Sequence, residues 1–389
     1  MNNIFDYQGI NDIISRPELE KKLKSGKKLR IKFGADPSRP DIHLGHTVPL
    51  MLLKKFQELG HEVIFLIGDY TARIGDPSGR NTARPILSDK EIEANSKTYF
   101  EQVGKVIDTT KTEIRYNSEW YKDMSFADLL KLTSLFTVSQ IIERDDFEKR
   151  LKTGQEVGIQ ELLYPIMQAY DSVVLKADIE IGGTDQRFNL LAGRELQKKV
   201  GQVPQDIITC KLLVGLDGKE KMSKSLGNYI GISESAEDIF GKVMSLKDEQ
   251  IIEYFSLVTN LDKSAIEELS KKMTEGVNPR DIKFKLATEI TSMYQGKEQA
   301  EAAGKRFNQI HQKKEIPADI EEIKLEGEFD ILPLLGTLKL VESNSEGRRL
   351  IEQHGVKIDG AMITEITERV KVYSGMVIQV GKRRFVKIK

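Results

Sequence analysis

A short apolar run, a helical stripe closed by glycine and a second apolar run follow one another between Leu29 and Ile67, and that arrangement leaves few folds open. Leu29 to Phe33 is expected to be a strand. Val48 to Leu59 is expected to be a helix with its apolar stripe at Leu50, Leu53 and Phe56, ended by Gly60. Val63 to Ile67 is the second strand, and the turn-rich GDPSG from Gly75 to Gly79 follows it. Strand, helix and strand at this spacing make a βαβ unit, which implies a parallel sheet with a right-handed crossover. In such sheets ligands sit beyond the carboxyl ends of the strands, where the strand order reverses. The residues just after Phe33 and Ile67 are therefore placed to touch a ligand.

From about Ala94 to Tyr170 the pattern turns mostly helical, and Asp206 to Leu213 is again strand-like. A glycine-rich loop, GLDGKEKMSKSLGNYIG, comes next, and Ser233 to Asn308 is expected to be all helical. Ile316 to Glu328 is acidic and weakly patterned, which suits a linker. From Ile331 to Lys389 there are 11 Lys and Arg against 6 Asp and Glu, whereas the whole chain carries a net charge of −1. This basic tail is expected to hold a short helix at Glu346 to Gln353 and strands near Val356 to Ile358, Met376 to Val380 and Arg384 to Ile388. A small basic α+β module on an acidic body suggests contact with nucleic acid phosphates. The expected fold is α/β. A Rossmann-type parallel-sheet catalytic domain spans 1–231 with a helical insertion at about 94–170, an all-helical domain spans 232–322, and a small α+β domain spans 323–389.

Composition narrows the setting. With 389 residues and 39% hydrophobic content, the chain can build cores in two or three domains. A charged fraction of 31% with near-zero net charge describes a well-solvated globular surface and excludes a disordered polyelectrolyte. The single cysteine, Cys210, excludes an internal disulfide framework and a multi-cysteine zinc site, and fits a reducing compartment. The opening MNNIFDYQGI has no charged segment followed by an apolar run, and no stretch approaches the roughly 18 to 20 apolar residues of a membrane span. The expected setting is the cytoplasm, away from any membrane.

Two constellations carry chemistry. His43-Leu44-Gly45-His46 follows a strand and opens a helix. Free backbone N–H groups and the positive end of the dipole attract anions there, and residues three apart share a face. Two imidazoles can thus help hold a phosphate chain, with Gly45 allowing close approach. Without a nearby carboxylate or cysteine set, they are not expected to hold a metal. Lys221-Met222-Ser223-Lys224-Ser225 lies in a loop between Gly215, Gly218, Gly227 and Gly231, and Lys221 comes 175 residues after His46. Two lysines on a mobile loop can close over a polyphosphate and neutralise charge growing on a leaving pyrophosphate. Taken singly such a loop is a solvated turn; the pairing with HLGH on a parallel sheet argues otherwise.

This pairing resembles the class I aminoacyl-tRNA synthetases. Gly182-Gly183-Thr184-Asp185-Gln186, the run from Tyr164 through Gln168 to Asp171, and GDPSG resemble the tyrosyl-tRNA synthetases in particular, and the tail is similar to the S4-type RNA-binding domain. The resemblance covers essentially the whole chain. It implies that Asp76, Tyr164, Gln168, Asp171 and Gln186 bind tyrosine, with Asp76, Tyr164 and Gln168 around the ammonium group and Asp171 at the phenol hydroxyl. It implies ATP contacts from Asp36, Ser38, His43, Gly45, His46, Asp185, Lys221, Met222, Ser223, Lys224 and Ser225, with Lys224 the stronger phosphate contact of the two lysines. His43, His46, Lys221 and Lys224 would be the catalytic set. Arg80, Arg84, Arg348, Arg349, Lys357, Lys382, Arg383 and Arg384 would meet tRNA. Lys32 stands where many members have a tyrosine near the phenol ring, Pro49 replaces a hydroxyl residue after HLGH, and Ser38 replaces a threonine.

The implied activity joins tyrosine to tRNA(Tyr) through tyrosyl-adenylate, with ATP and Mg²⁺ as substrate and no organic cofactor or resident metal. A homodimer built on the segment around Ser125 to Asp171 is also implied. The nearest alternatives are a tryptophanyl-tRNA synthetase, against which Asp171 and the tail argue, a metabolic nucleotidyltransferase, and a catalytically inactive synthetase-like RNA-binding protein.

Overall fold

The computed structural model describes residues 4–37, 41–78, 87–312, 320–381 and 384–389. Two compact units divide the chain, 1–300 and 301–389. In the first, β1 (Ile10–Ile14), α1 (Arg16–Lys24), β2 (Arg30–Ala35), α2 (Leu44–Glu58), β3 (Glu62–Ile67), α3 (Asp89–Val103) and β4 (Thr112–Tyr116) come in turn. The helices α4 (Ser118–Tyr121), α5 (Phe126–Thr133), α6 (Val138–Ile142), α7 (Asp145–Lys152) and α8 (Ile159–Leu175) follow, then β5 (Ile179–Gly183), α9 (Arg187–Lys199) and β6 (Asp206–Cys210). After the lysine loop come α10 (Ala236–Met244), α11 (Ile251–Val258), α12 (Lys263–Thr274), α13 (Pro279–Gln295) and α14 (Lys297–Gln312), the last of which runs across the boundary.

The six strands are ordered β1-β6-β5-β2-β3-β4. All neighbours are parallel except β1, which caps the sheet edge antiparallel to β6. Strands β3 and β6 are buried almost throughout, as expected of parallel strands covered on both faces. The chain winds from β2 outward to β4, then returns to place β5 on the other side of β2. The switch point therefore lies between β2 and β5, and their carboxyl ends part there to leave a crevice.

Two expectations need correction. Helix α2 begins at Leu44, not Val48, and it buries residues nearly all round, because the sheet covers one side and α11 the other. The segment 94–170 is not simply an insertion. Within it β4 extends the parallel sheet alongside β3, and its polar sequence, TEIRY, reflects an edge strand with no fully buried residue. The true helical insertion is α5 to α7, with a small core of its own around Leu132, Ile141 and Phe147 packed on Ile166 and Leu196. Helices α10 to α13 pack within the first unit; Tyr7 near the N-terminus donates its hydroxyl to the carbonyls of both Val48 and Leu257.

The second unit has its own core, centred on Leu334, Leu335, Ile351, Ile378 and Val386. Its elements are β7 (Glu321–Ile323), β8 (Gly327–Asp330), α15 (Ile331–Thr337), α16 (Asn344–Glu352), β9 (Val356–Ile358), β10 (Ala361–Met362), β11 (Arg369–Val372), β12 (Val377–Val380) and β13 (Arg384–Ile388). One sheet has the order β10-β9-β12-β13-β7, and β8 pairs with β11. The expected linker thus holds two strands in its described part. Charge across the ladder, rather than apolar patterning, accompanies the first: Glu322 meets Lys387 at 3.0 Å and Lys389 at 3.4 Å. Because β7 runs parallel to β13, the unit begins before residue 323.

The lone cysteine, Cys210, ends β6 fully buried, and burial pushes its thiol up to about 12.

Candidate active site

The carboxyl ends of β2, β3 and β5 open into a cavity of about 1070 Å³. It is lined by Asp36, His43, Gly45, His46, Asp76, Tyr164, Gln168, Asp171, Asp185 and Gln186 and by the whole run Lys221 to Ser225. The structure therefore brings every described residue of the expected tyrosine and ATP sets to one hollow. Ser38, Arg80 and Arg84 lie outside the described residues.

At one end of the hollow stands the start of α2. His43 is the N-cap, held extended at φ −118° and ψ 168°, and its backbone N–H donates to Nδ1 of His46 at 3.3 Å. That bond assigns the His46 proton to Nε2. The two rings stack with centroids 3.8 Å apart and planes 25° from parallel. Burial, and next the His46 ring, lowers His43 to about 2; burial, and next Lys224, lowers His46 to about 4. Both imidazoles are neutral near pH 7, so they act as N–H donors and not as cations. Gly45 matters sterically: a Cβ there would lie 3.1 Å from the His43 ring and 3.5 Å from Met222 Cβ.

Beside the helix start, the lysine loop is held by its own asparagine. Asn228 accepts from the Ser223 N–H at 2.7 Å and donates to Asp217 at 2.6 Å and to the Lys221 carbonyl at 3.2 Å. Lys221 pairs with Asp185 at 2.8 Å. Lys224 pairs with Asp41 and has the Tyr229 ring 5.5 Å from its Nζ.

The far end is built on α8. Tyr164, Gln168 and Asp171 fall at i, i+4 and i+7 and share the face turned to the cavity. Tyr164 donates its hydroxyl to Asp36 at 2.9 Å, and Asp36 accepts from Thr71 at 2.8 Å. Asp171 accepts from the Trp120 indole at 2.9 Å and from Asn117 at 3.5 Å. Burial raises its carboxyl to about 7, against the opposing pull of Lys32 and these donors. Asp76 accepts from Gln186 at 2.7 Å.

Lys32 resolves differently from a substitute for the ring-side tyrosine. Its ammonium has three donors, and they go to the Gln168 carbonyl at 3.1 Å, Ser172 at 2.8 Å and Glu180 at 2.8 Å. It is a strut beneath the cavity floor joining β2, α8 and β5. Pro49 is buried and lines the hollow with carbon only.

In the second unit, Arg348 and Arg349 stand exposed on α16 and Lys357 is half-buried on β9. Arg384 donates to the Leu340 carbonyl at 2.6 Å and pairs with Glu346 at 2.9 Å, tying β13 to α16. Lys382 and Arg383 lie outside the described residues.

Several partners escaped the sequence reading, namely Asp41, Thr71, Asn117, Trp120, Asn228 and Tyr229. Trp120 is the only tryptophan, and Asn228 directly follows Gly227 of the loop motif, so each carried a weak signal. Asp41, Thr71 and Asn117 carried none, since they matter only through the side chains they meet in space.

A parallel sheet whose switch-point crevice is flanked by a histidine-bearing helix start and a lysine loop is the build of a class I tRNA synthetase. Residues 24–312 match the family described as tRNA synthetases class I (W and Y). Over 382 residues the chain is 49% identical to the tyrosine–tRNA ligase of Thermotoga maritima, covering 98% of this chain and 95% of the relative. It is 51% identical to that of Francisella tularensis over 381 residues, covering 98% and 96%. Among solved structures, a C-terminally truncated mitochondrial tyrosyl-tRNA synthetase from Aspergillus nidulans shares the fold at a TM-score of 0.66 and 22% identity, over 79% of this chain and 92% of that one. The chain belongs to the class I tRNA synthetases, in the tyrosine–tRNA ligase family.

Proposed function

We propose that this chain joins L-tyrosine to tRNA(Tyr) in two steps. The tyrosine carboxylate attacks the α-phosphorus of ATP, giving tyrosyl-adenylate and pyrophosphate, and the terminal adenosine hydroxyl of the tRNA then takes the tyrosyl group. The carrying observation is that one cavity has a phosphate-suited rim of His43, His46, Lys221 and Lys224 and, at its other end, the buried Asp171 carboxyl.

The carboxylate nucleophile is already ionised at pH 7, so the first step needs alignment and charge stabilisation rather than a general base. Neutral His43 and His46 donate N–H bonds to the polyphosphate, and Lys221 and Lys224 supply positive charge as pyrophosphate departs, with Mg²⁺ entering on ATP. Asp185 meets the ribose hydroxyls, and Gln186 the substrate carboxylate region. Asp36, Gly45, Met222, Ser223 and Ser225 border the nucleotide. Asp76, Tyr164 and Gln168 surround the ammonium group, a cation that needs a carboxylate nearby. Asp171 accepts from the phenol. Phenylalanine would leave that acceptor buried without its donor, which costs more than a lost apolar contact.

The second unit contacts tRNA through Arg348, Arg349 and Lys357. A homodimer forms on the helical segment around Ser125 to Asp171, a reading supported by Phe126, Leu130, Val138, Leu151 and Ile159, large apolar side chains exposed on that one segment. Among the described residues no helix is long and apolar enough to cross a membrane.

Amino-acid-dependent ATP–pyrophosphate exchange, run with each of the twenty amino acids, tests the reading. Exchange with tyrosine alone is expected; a preference for tryptophan, or no exchange with any, overturns it.

A further inference from the structure

Asp76 and Gln186 come from different parts of the first unit, one in the loop after β3 and the other after β5. Their mutual placement depends on a residue from a third part. Arg144 sits at the corner between α6 and α7 in the helical insertion and is 4% exposed. Its guanidinium lies over the rings of Phe147 at 4.6 Å and Phe188 at 5.7 Å. Asp146 accepts from Nε at 2.9 Å and from a terminal nitrogen at 2.6 Å. The outward side of the fork then reaches Ser78 Oγ at 3.0 Å and Asn189 Oδ1 at 3.0 Å.

Those two acceptors lead straight to the site. The Ser78 backbone N–H donates to Asp76 Oδ1 at 2.9 Å, and Asn189 donates to Gln186 Oε1 at 2.9 Å. Gln186 in turn donates to Asp76 Oδ2 at 2.7 Å. Arg144, Ser78, Asp76, Gln186 and Asn189 thus close a ring of five hydrogen bonds. Each bond fixes the rotamer of the next group, and a planar fork clamped by Asp146 and flanked by two phenyl rings is the rigid member. A lysine in its place would bring a point charge without the fork.

We infer that Arg144 is a positioning residue for the amino-acid head group, setting the Asp76 carboxylate for the ammonium and the Gln186 amide for the carboxylate region in register from the helical insertion. This rests on the proposed tyrosine-binding role of Asp76 and Gln186. It concerns one end of the cavity only, since no member of the ring touches the histidine pair or the lysine loop in the bonds above.

The test uses the full-length chain and its Arg144→Lys variant, with Asn189→Ala as a second break in the ring should the first fold poorly. Binding of tyrosine, of tyramine (which keeps the ammonium but lacks the carboxylate), and of 3-(4-hydroxyphenyl)propionate (which lacks the ammonium) is titrated, and the KM for ATP is taken from pyrophosphate exchange. Tyrosine and tyramine are expected to weaken on the order of tenfold to a hundredfold, the scale at which small misplacements act. The deamino compound, which keeps the carboxylate that Gln186 meets but has no ammonium for Asp76, should weaken less than tyrosine, and the KM for ATP should stay within about twofold of the parent. Unchanged tyrosine binding, or equal losses for all ligands, overturns the inference. Failure of the parent chain itself to bind tyrosine would instead overturn the functional reading beneath it.

Discussion

Lys32 and Glu180 meet at 2.8 Å under the floor of the cavity, with side chains 0% and 1% exposed. Gln205 and Ser172 add further donors to Glu180, the latter at 2.9 Å. The cluster spans β2, α8, β5 and the chain leading into β6, so it fixes the very strands that part at the switch point.

Removing one partner leaves a buried charge uncompensated. Lys32→Met should destabilise the first unit by about 3 to 5 kcal/mol, as breaking a buried pair does elsewhere. The double variant Lys32→Met with Glu180→Gln should recover a large part of that. Urea unfolding of the four proteins of the cycle measures it; single-variant costs that simply add up to the cost of the double variant would show that the pair is not coupled.

The raised carboxyl of Asp171 sets a pH dependence. Its folded pKa of about 7 exceeds the ordinary value near 4, so the native state holds the proton more tightly than the unfolded chain. The associated stability is fully present below about pH 4 and is lost as pH rises through 7. Asp171→Asn should therefore gain thermal stability relative to the parent as pH rises from 4 to 8. Tyrosine binding should run the other way, strengthening from pH 6 to 8 as the phenol meets an ionised acceptor, and Asp171→Asn should flatten that profile. Melting curves and tyrosine titrations over the same buffers check both, and a parent profile flat from 6 to 8 would refute the assignment.

Lys224 of the lysine loop is paired with Asp41, which would compete with the phosphate of ATP in the proposed reaction. Asp41→Asn is expected to lower the KM for ATP a few-fold, roughly the 0.5 to 1 kcal/mol of a solvent-accessible pair. Lys224→Ala should slow adenylate formation by on the order of a hundredfold or more while tyrosine affinity moves little. Single-turnover adenylate formation separates the two, and comparable losses in tyrosine affinity would place Lys224 elsewhere.

Cutting the chain after Asp330 would strand β7 and β8 without their partners, so the cleaner truncation ends near residue 312. That protein should keep pyrophosphate exchange and lose tRNA charging. In the full chain, Arg348→Ala with Arg349→Ala should lower tRNA affinity and reduce the salt slope by about one to two. Arg384→Ala should act mainly through melting temperature, since its guanidinium is engaged by Leu340 and Glu346. Full charging by the truncated protein would remove the tail from the reaction.

Much of the layout was legible because it is written in short-range pattern. The first βαβ unit, β6 and the helices after Ser233 follow from apolar period and glycine placement, and HLGH and the lysine loop are contiguous words. What escaped was set by distance in space. Strand β4 looks too polar because it lies at an edge, and β7 is three residues long with acidic side chains facing lysines on β13 or just beyond it. Helix α15 contains Pro333 and Gly336, which mask its period. Lys32 illustrates the same limit: nothing in the sequence near it reveals that Glu180, 148 positions away, waits to accept its ammonium.

The burial of Cys210 has a practical corollary. A thiol held that far from ionising at neutral pH, and shielded from reagents, will scarcely react with maleimides. The unaltered sequence is thus a silent background for labelling chemistry. A fluorophore or spin probe attached to one cysteine introduced at exposed Leu226 would report on the lysine loop alone, with no need to remove the native sulfur first.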